Sequence, residues 1–198
     1  MTIIGNTVDK VAPQLLNQQQ MSSVEQSVNK WKSILIKRKY IFHEAAEKAL
    51  RGLVKGRSVV LTGSPGTGKS LFFKILGIPM FSLVYAQTKS LNEISDAFDH
   101  YRCTKIAVDD IGAEGKFNNY GTQSELLDFV LSRREDASRP TCYTTNLTPS
   151  QIQERYGERI IDRLSAAIWI DFGKESLRSP DRPSRGHNEY YSFYCYTC

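Results

Sequence analysis

The chain has 198 residues, 40% of them hydrophobic and 24% charged, which suits one α/β domain with a real core, is too short for two full domains, and excludes a wholly disordered chain. A formal net charge of +5 and a pI near 9.0 admit a polyanionic partner without requiring one. No apolar run approaches the ~18 to 20 residues that span a bilayer, and residues 1–20 lack the basic start and apolar block of an export signal, so a cytoplasmic protein is expected. Four cysteines are too few for a disulfide framework. Cys195 and Cys198 have the spacing of half a zinc site, but Cys103 and Cys142 fall in or beside expected core strands, so reduced thiols in a loose tail are expected.

Residues 1–21 are rich in Gln and Asn without a sustained period and read as a flexible leader. Ser22 and Glu25 then have capping-box spacing, and Val24, Val28, Trp31 and Leu35 recur at helical intervals. This predicts a helix over 22–39 that ends in the basic triplet Lys37, Arg38 and Lys39. Its apolar stripe is a candidate partner contact, with packing onto the core as the alternative. A second helix is predicted over 40–55, stopped by Gly56. Residues 58–62 are short, apolar and β-branched, as a buried parallel strand should be. A helix over 69–76, a strand over 81–86, a helix over 90–101 and a strand over 104–108 follow. Next come a helix over 123–134, a strand over 141–144, helices over 150–156 and 158–164, and a last strand over 167–172. Five strands separated by helices predict an α/β fold, a parallel five-stranded sheet flanked by helices on both faces. The core is expected over 40–178 and an irregular tail over 179–198.

Gly63, Ser64, Pro65, Gly66, Thr67, Gly68, Lys69 and Ser70 have the G-x4-G-K-S spacing of a P-loop, and they lie between a predicted strand and a predicted helix. Glycines there let backbone N–H groups turn inward around phosphates. Lys69 is expected at the β/γ-phosphates and Ser70 on Mg²⁺, so ATP and Mg²⁺ are the expected ligands. The strand that ends in Val108 runs into Asp109 and Asp110. Asp109 is expected to contact Mg²⁺ or its waters and Asp110 to polarise an attacking water, with Glu114 in reserve for that role. Lys37 to Lys39 and the pair Arg133 and Arg134 are candidate phosphate-backbone contacts.

Asp109-Asp110-Ile111-Gly112, then Arg133-Arg134, Arg139-Pro140-Thr141, Thr145-Asn146-Leu147 and Tyr156-Gly157-Glu158-Arg159-Ile160-Ile161-Asp162-Arg163-Leu164, in that order and spacing, resemble the DnaC/DnaI-type helicase loaders and the related IstB-type transposition ATPases. The likeness covers about residues 59–178. It implies an AAA+ P-loop NTPase core with little or no helical lid. It implies a sensor 1 role for Asn146, a trans-acting arginine finger at Arg163, and a sensor 2 arginine touching nucleotide in cis at Arg178. By the same resemblance the protein is a slow, assembly-stimulated, Mg-dependent ATPase. It would self-associate, bind a DnaB-type hexameric replicative helicase and help to place it on single-stranded DNA. An IstB-like helper that recruits a transposase and an ATP-bound adaptor without turnover are the alternatives, and the presence of Asp110, Asn146 and Arg163 favours turnover. The chain departs from the family pattern in its short N-terminal region and in the single helix expected between residues 86 and 105, where initiator-type relatives pack a second helix along single-stranded DNA.

Overall fold

The computed structural model describes residues 8–100, 105–115, 117–119, 122–124, 126–136 and 139–177. In chain order the helices are α1 (Val8–Lys37), α2 (Glu44–Val54), α3 (Lys69–Ile75), α4 (Leu83–Ala86), α5 (Leu91–His100), α6 (Leu126–Asp136), α7 (Pro149–Tyr156) and α8 (Glu158–Ser165). The strands are β1 (Val59–Thr62), β2 (Met80–Ser82), β3 (Ile106–Ile111), β4 (Phe117–Asn119), β5 (Thr122–Ser124), β6 (Thr141–Thr145) and β7 (Ile168–Asp171). Five of them form one sheet in the order β2-β3-β6-β1-β7, and every pairing in it is parallel. The expected sheet is therefore present. The antiparallel hairpin of β4 and β5 lies apart from it and carries no alternating apolar signal that would have announced it.

Side chains alternate across the sheet with the period of two that a pleated strand imposes. Val60, Ile106, Val108 and Tyr143 enter one core with Ile94, Leu127, Val130, Ile152, Ile160 and Leu164, that is, with α5 to α8. Val59, Leu61, Ala107, Cys142 and Ile170 enter the other with Val28, Leu35, Leu50, Phe72 and Phe73 from α1 to α3. Both faces are dry, which explains why these strands read as continuous apolar runs. Burial pushes the Cys142 thiol up to about 12, so it packs as a small apolar group and is unreactive. No helix among the described residues is long and apolar enough to cross a membrane.

Several boundaries differ from expectation for local reasons. Residues 8–21 continue α1 as helical backbone rather than an irregular leader; beyond Pro13 the segment is rich in Gln, Leu and Met, which are good helix formers. The stripe of Val24, Val28, Trp31 and Leu35 packs against the core, so it is not a free partner face. Lys32 and Arg51 tie α1 to α2 through Glu47 and Glu25. The second helix starts at Glu44, not residue 40. Lys39 takes a left-handed φ of 60°, and the Tyr40 N–H donates back to the Leu35 carbonyl, closing α1 as a Schellman motif. His43 then caps α2, its Nδ1 accepting the Ala46 N–H. The strand expected over 81–86 stops at Ser82, whose hydroxyl caps α4. Arg134 is buried, donating to the Thr141 hydroxyl and the Pro140 carbonyl, and is not a phosphate contact. Lys37, Arg38 and Lys39 are exposed.

His43 gives the fold a pH dependence. It stands edge-on to Phe172 at 4.7 Å, and desolvation lowers its pKa from the ordinary imidazole value. With Nδ1 accepting from Ala46, the neutral ring carries its proton on Nε2, a tautomer assigned from the bonding pattern. The folded state thus protonates less readily than the unfolded chain. This contribution is complete above the unfolded pKa of about 6.5 and declines as pH falls through it toward the lower folded value. Glu25, Glu44 and Glu47, held below the carboxylate norm mainly by side-chain hydrogen bonds from Arg51 or Lys48, lose their contributions only at more acid pH. We expect the thermal midpoint to drop between about pH 7 and pH 5.5. His43→Asn, which keeps the cap and removes the titration, should flatten that drop; parallel pH profiles for the two proteins would refute this.

Candidate functional site

The P-loop leaves β1 at Thr62 and enters α3 at Lys69. Gly63, Gly66 and Gly68 all have positive φ, at 128°, 90° and 90°, where side-chain-bearing residues are strained. At Gly63 space is closed too, since a Cβ would stand 2.7 Å from the Gly173 carbonyl oxygen. Thr67 braces the turn through its hydroxyl to the Ser64 carbonyl at 3.0 Å. Pro65 is exposed at the tip.

Lys69 is 5% exposed. Its Nζ donates to the carbonyls of Gly63 and Ser64 at 2.6 and 2.9 Å and to Asn146 Oδ1 at 2.9 Å. Asn146 follows the end of β6, and β6 lies between β1 and β3. That order places the residue expected as sensor 1 beside the P-loop lysine.

The Ser70 hydroxyl donates to Asp109 Oδ1 at 2.6 Å, and the Thr144 hydroxyl donates to the same oxygen at 2.6 Å. Asp109 is 1% exposed, so its charge is compensated by these two hydroxyls. A serine hydroxyl and a carboxylate at this distance are hard oxygen donors of the kind that binds Mg²⁺, and the pair fits the metal expected there. Thr144 is a member that sequence reasoning missed. No local pattern marks it, because its role depends on β6 (Thr141–Thr145) lying beside β3 in the sheet.

Asp110 follows with φ 57°, and the β3–β6 register shifts between Val108 and Ile111. A bulge of this kind re-aims successive side chains, and a left-handed aspartate costs about 1 kcal/mol. The Thr144 hydroxyl accepts the Asp110 N–H at 2.9 Å, which holds the kink. One threonine therefore links both carboxylate positions. Glu114, the reserve for Asp110, is 2% exposed and is engaged elsewhere. It accepts from the Gly112 N–H at 2.9 Å and from the Tyr156 hydroxyl, while Arg155 donates to the Gly112 and Glu114 carbonyls. Glu114 clasps the loop after β3 to α7.

Residues 173–177, after β7, run beside the P-loop. The Ser64 N–H donates to the Gly173 carbonyl and the Leu177 N–H to the Gly66 carbonyl, both at 2.9 Å. Arg178 lies outside the described residues, as do Cys103, Cys195 and Cys198. Arg163, on α8, is away from the chain's own P-loop cluster in its bonding. It donates through Nη1 to Asp128 Oδ1 and Ser132 Oγ at 2.8 Å, and its Nε stands 3.4 Å from Glu135 Oε2.

No protein-family model matches the chain. It is similar to the replicative helicase loader DnaC of Escherichia coli K12, 24% identical over 141 residues, which are 62% of this chain and 56% of that protein. DnaC of Buchnera aphidicola from Schizaphis graminum is 24% identical over 140 residues, 61% of this chain and 56% of that one. The matched segment thus spans little more than half the length of these relatives. Among solved structures, AMPPCP-bound DnaA from Aquifex aeolicus superposes with a TM-score of 0.47 at 13% identity, over 68% of this chain and 48% of that chain.

Proposed function

From a DnaC-like AAA+ P-loop chain, we propose an ATP-dependent loader that binds a DnaB-type hexameric replicative helicase and helps to place it on single-stranded DNA. The observation that carries this reading is the joined set of Lys69, Asn146, Ser70, Asp109 and Thr144, built from the segments that resemble helicase loaders. Recovery of a replicative helicase with tagged protein from the native cell supports the reading; recovery of a transposase in its place overturns it.

ATP is the substrate, and Lys69 and the P-loop N–H groups bind its phosphates. Lys69 exchanges one of its acceptors for phosphate oxygen. The Asn146 amide is the partner best suited to yield, since turning it presents N–H in place of oxygen. Ser70 and Asp109 would hold Mg²⁺, which would supply neutralisation of phosphate charge. Asp110 orients the attacking water and accepts its proton. Arg163 of a second copy stabilises the charge that redistributes during transfer, so turnover depends on assembly. Gly173 to Leu177, bonded to the P-loop, lead to Arg178, which contacts nucleotide in cis.

Asp110→Asn tests the middle of this sequence. The amide keeps the shape and the Thr144-supported backbone but accepts no proton. We expect ATP affinity near the parental value and hydrolysis lower by about 10² to 10⁴, read from nucleotide titration and phosphate release. Hydrolysis at the parental rate removes Asp110 from the chemistry.

A further inference from the structure

An arginine that reaches a neighbouring subunit has to be held on its own, because a long side chain left free loses rotamer entropy at each encounter. Arg163 is 19% exposed in its side chain and is clasped from α6. Asp128 Oδ1 and Ser132 Oγ each stand 2.8 Å from Nη1, and Glu135 Oε2 stands 3.4 Å from Nε. These contacts occupy Nη1 and set Nε against Glu135 as an ion pair, and Nη2 has no partner among the described residues. Both supporting helices are fixed by burial: Leu126, Leu127, Val130 and Leu131 anchor α6, and Ile160 and Leu164 anchor α8. Arg159, one turn before Arg163, lies 3.7 Å from the same Asp128 oxygen and its side chain is 68% exposed.

We propose that Asp128, assisted by Ser132 and Glu135, is a positioning residue for Arg163: it fixes the guanidinium on rigid helices with its Nη2 edge directed to the phosphate of a second copy of this chain. This rests on the finger reading of Arg163. A plain tie between α6 and α8 would use the same contacts, so the test reads the donor face of the subunit and not its stability.

Asp128→Ala should lower kcat for ATP about ten- to a hundredfold, the scale for a catalytic group displaced by about an ångström, while KM stays unchanged. Asp128→Asn, which still accepts the hydrogen bond, should recover part of the loss and keeps the test open if the alanine variant loosens α6. Subunits carrying Asp128→Ala retain their own nucleotide sites. Mixed with Asp110→Asn subunits, which keep a correctly held Arg163, they should regain turnover. Mixed with Arg163→Ala subunits they should not, because both defects then lie on the donor face. Parental kcat in Asp128→Ala, or regained turnover in the mixture with Arg163→Ala, overturns the proposal. Parental turnover in Arg163→Ala itself overturns the finger reading, a result distinct from failure of the Asp128 variants alone.

Discussion

Replacing Arg163 with alanine is expected to leave ATP affinity at the parental value and to lower turnover by about a thousandfold, the usual scale for a trans-acting arginine in P-loop NTPases. The selectivity would arise because, on the finger reading, a guanidinium supplied from a second subunit would meet charge that redistributes during phosphoryl transfer and would stabilise the transition state far more than bound ATP. A thousandfold is about 4 kcal/mol of activation free energy. The ion pairs lost inside the chain, to Asp128 and Glu135, involve carboxylate side chains 36% and 49% exposed; pairs of this kind contribute about 0 to 1 kcal/mol. The fold therefore survives a change that disables the chemistry. Mixing gives the decisive measurement. Arg163→Ala subunits keep complete sites, and Asp110→Asn subunits keep the arginine, so the mixture should hydrolyse ATP faster than the sum of the two alone. If it does not at several ratios, with co-assembly verified by light scattering, Arg163 is not shared between subunits.

Lys69→Ala should weaken ATP binding about a hundredfold or more. On the proposed reading the ammonium is a point charge at the β/γ-phosphates, and a hydrogen bond to a charged group contributes about 1.5 to 3 kcal/mol. Its removal also leaves the Gly63 and Ser64 carbonyls and Asn146 Oδ1 without the donor that gathers them, so the loop loses part of its preorganised shape. Calorimetric titration should show the loss as a higher Kd. An unchanged Kd would remove the P-loop from nucleotide recognition, and with it the basis for every step above. Arg163→Ala and Lys69→Ala thus separate cleanly, one altering rate at constant affinity and the other altering affinity itself.

What the sequence alone determined was whatever depends on local pattern. The P-loop was legible because its spacing and the strand and helix around it are encoded in adjacent residues. The five parallel strands were legible because strands buried on both faces must be apolar along their length. Gly56 as the stop of α2 was legible because its φ of 72° favours glycine. Asp109 and Asp110 stood out as carboxylates at a strand end.

Only the tertiary structure decided what depends on distant segments meeting. The order β2-β3-β6-β1-β7 brings the end of β6 between the P-loop and Asp109. That juxtaposition makes Thr144 a shared partner of Asp109 and the Asp110 backbone, which no local pattern records. Glu114 and Asp110 are equivalent in sequence as nearby acids; one is tied to Gly112 and Tyr156 while the other sits at a backbone kink. The stripe on α1 has the same period whether it faces a partner or the core, and burial of Val28 and Leu35 is what distinguishes the two. Arg163 likewise carries no sequence mark of Asp128 and Glu135, because its partners come from a helix some thirty residues earlier. Periodicity and spacing act along the chain, whereas the pairing of charges, hydroxyls and carbonyls across it is fixed only when the sheet closes them together.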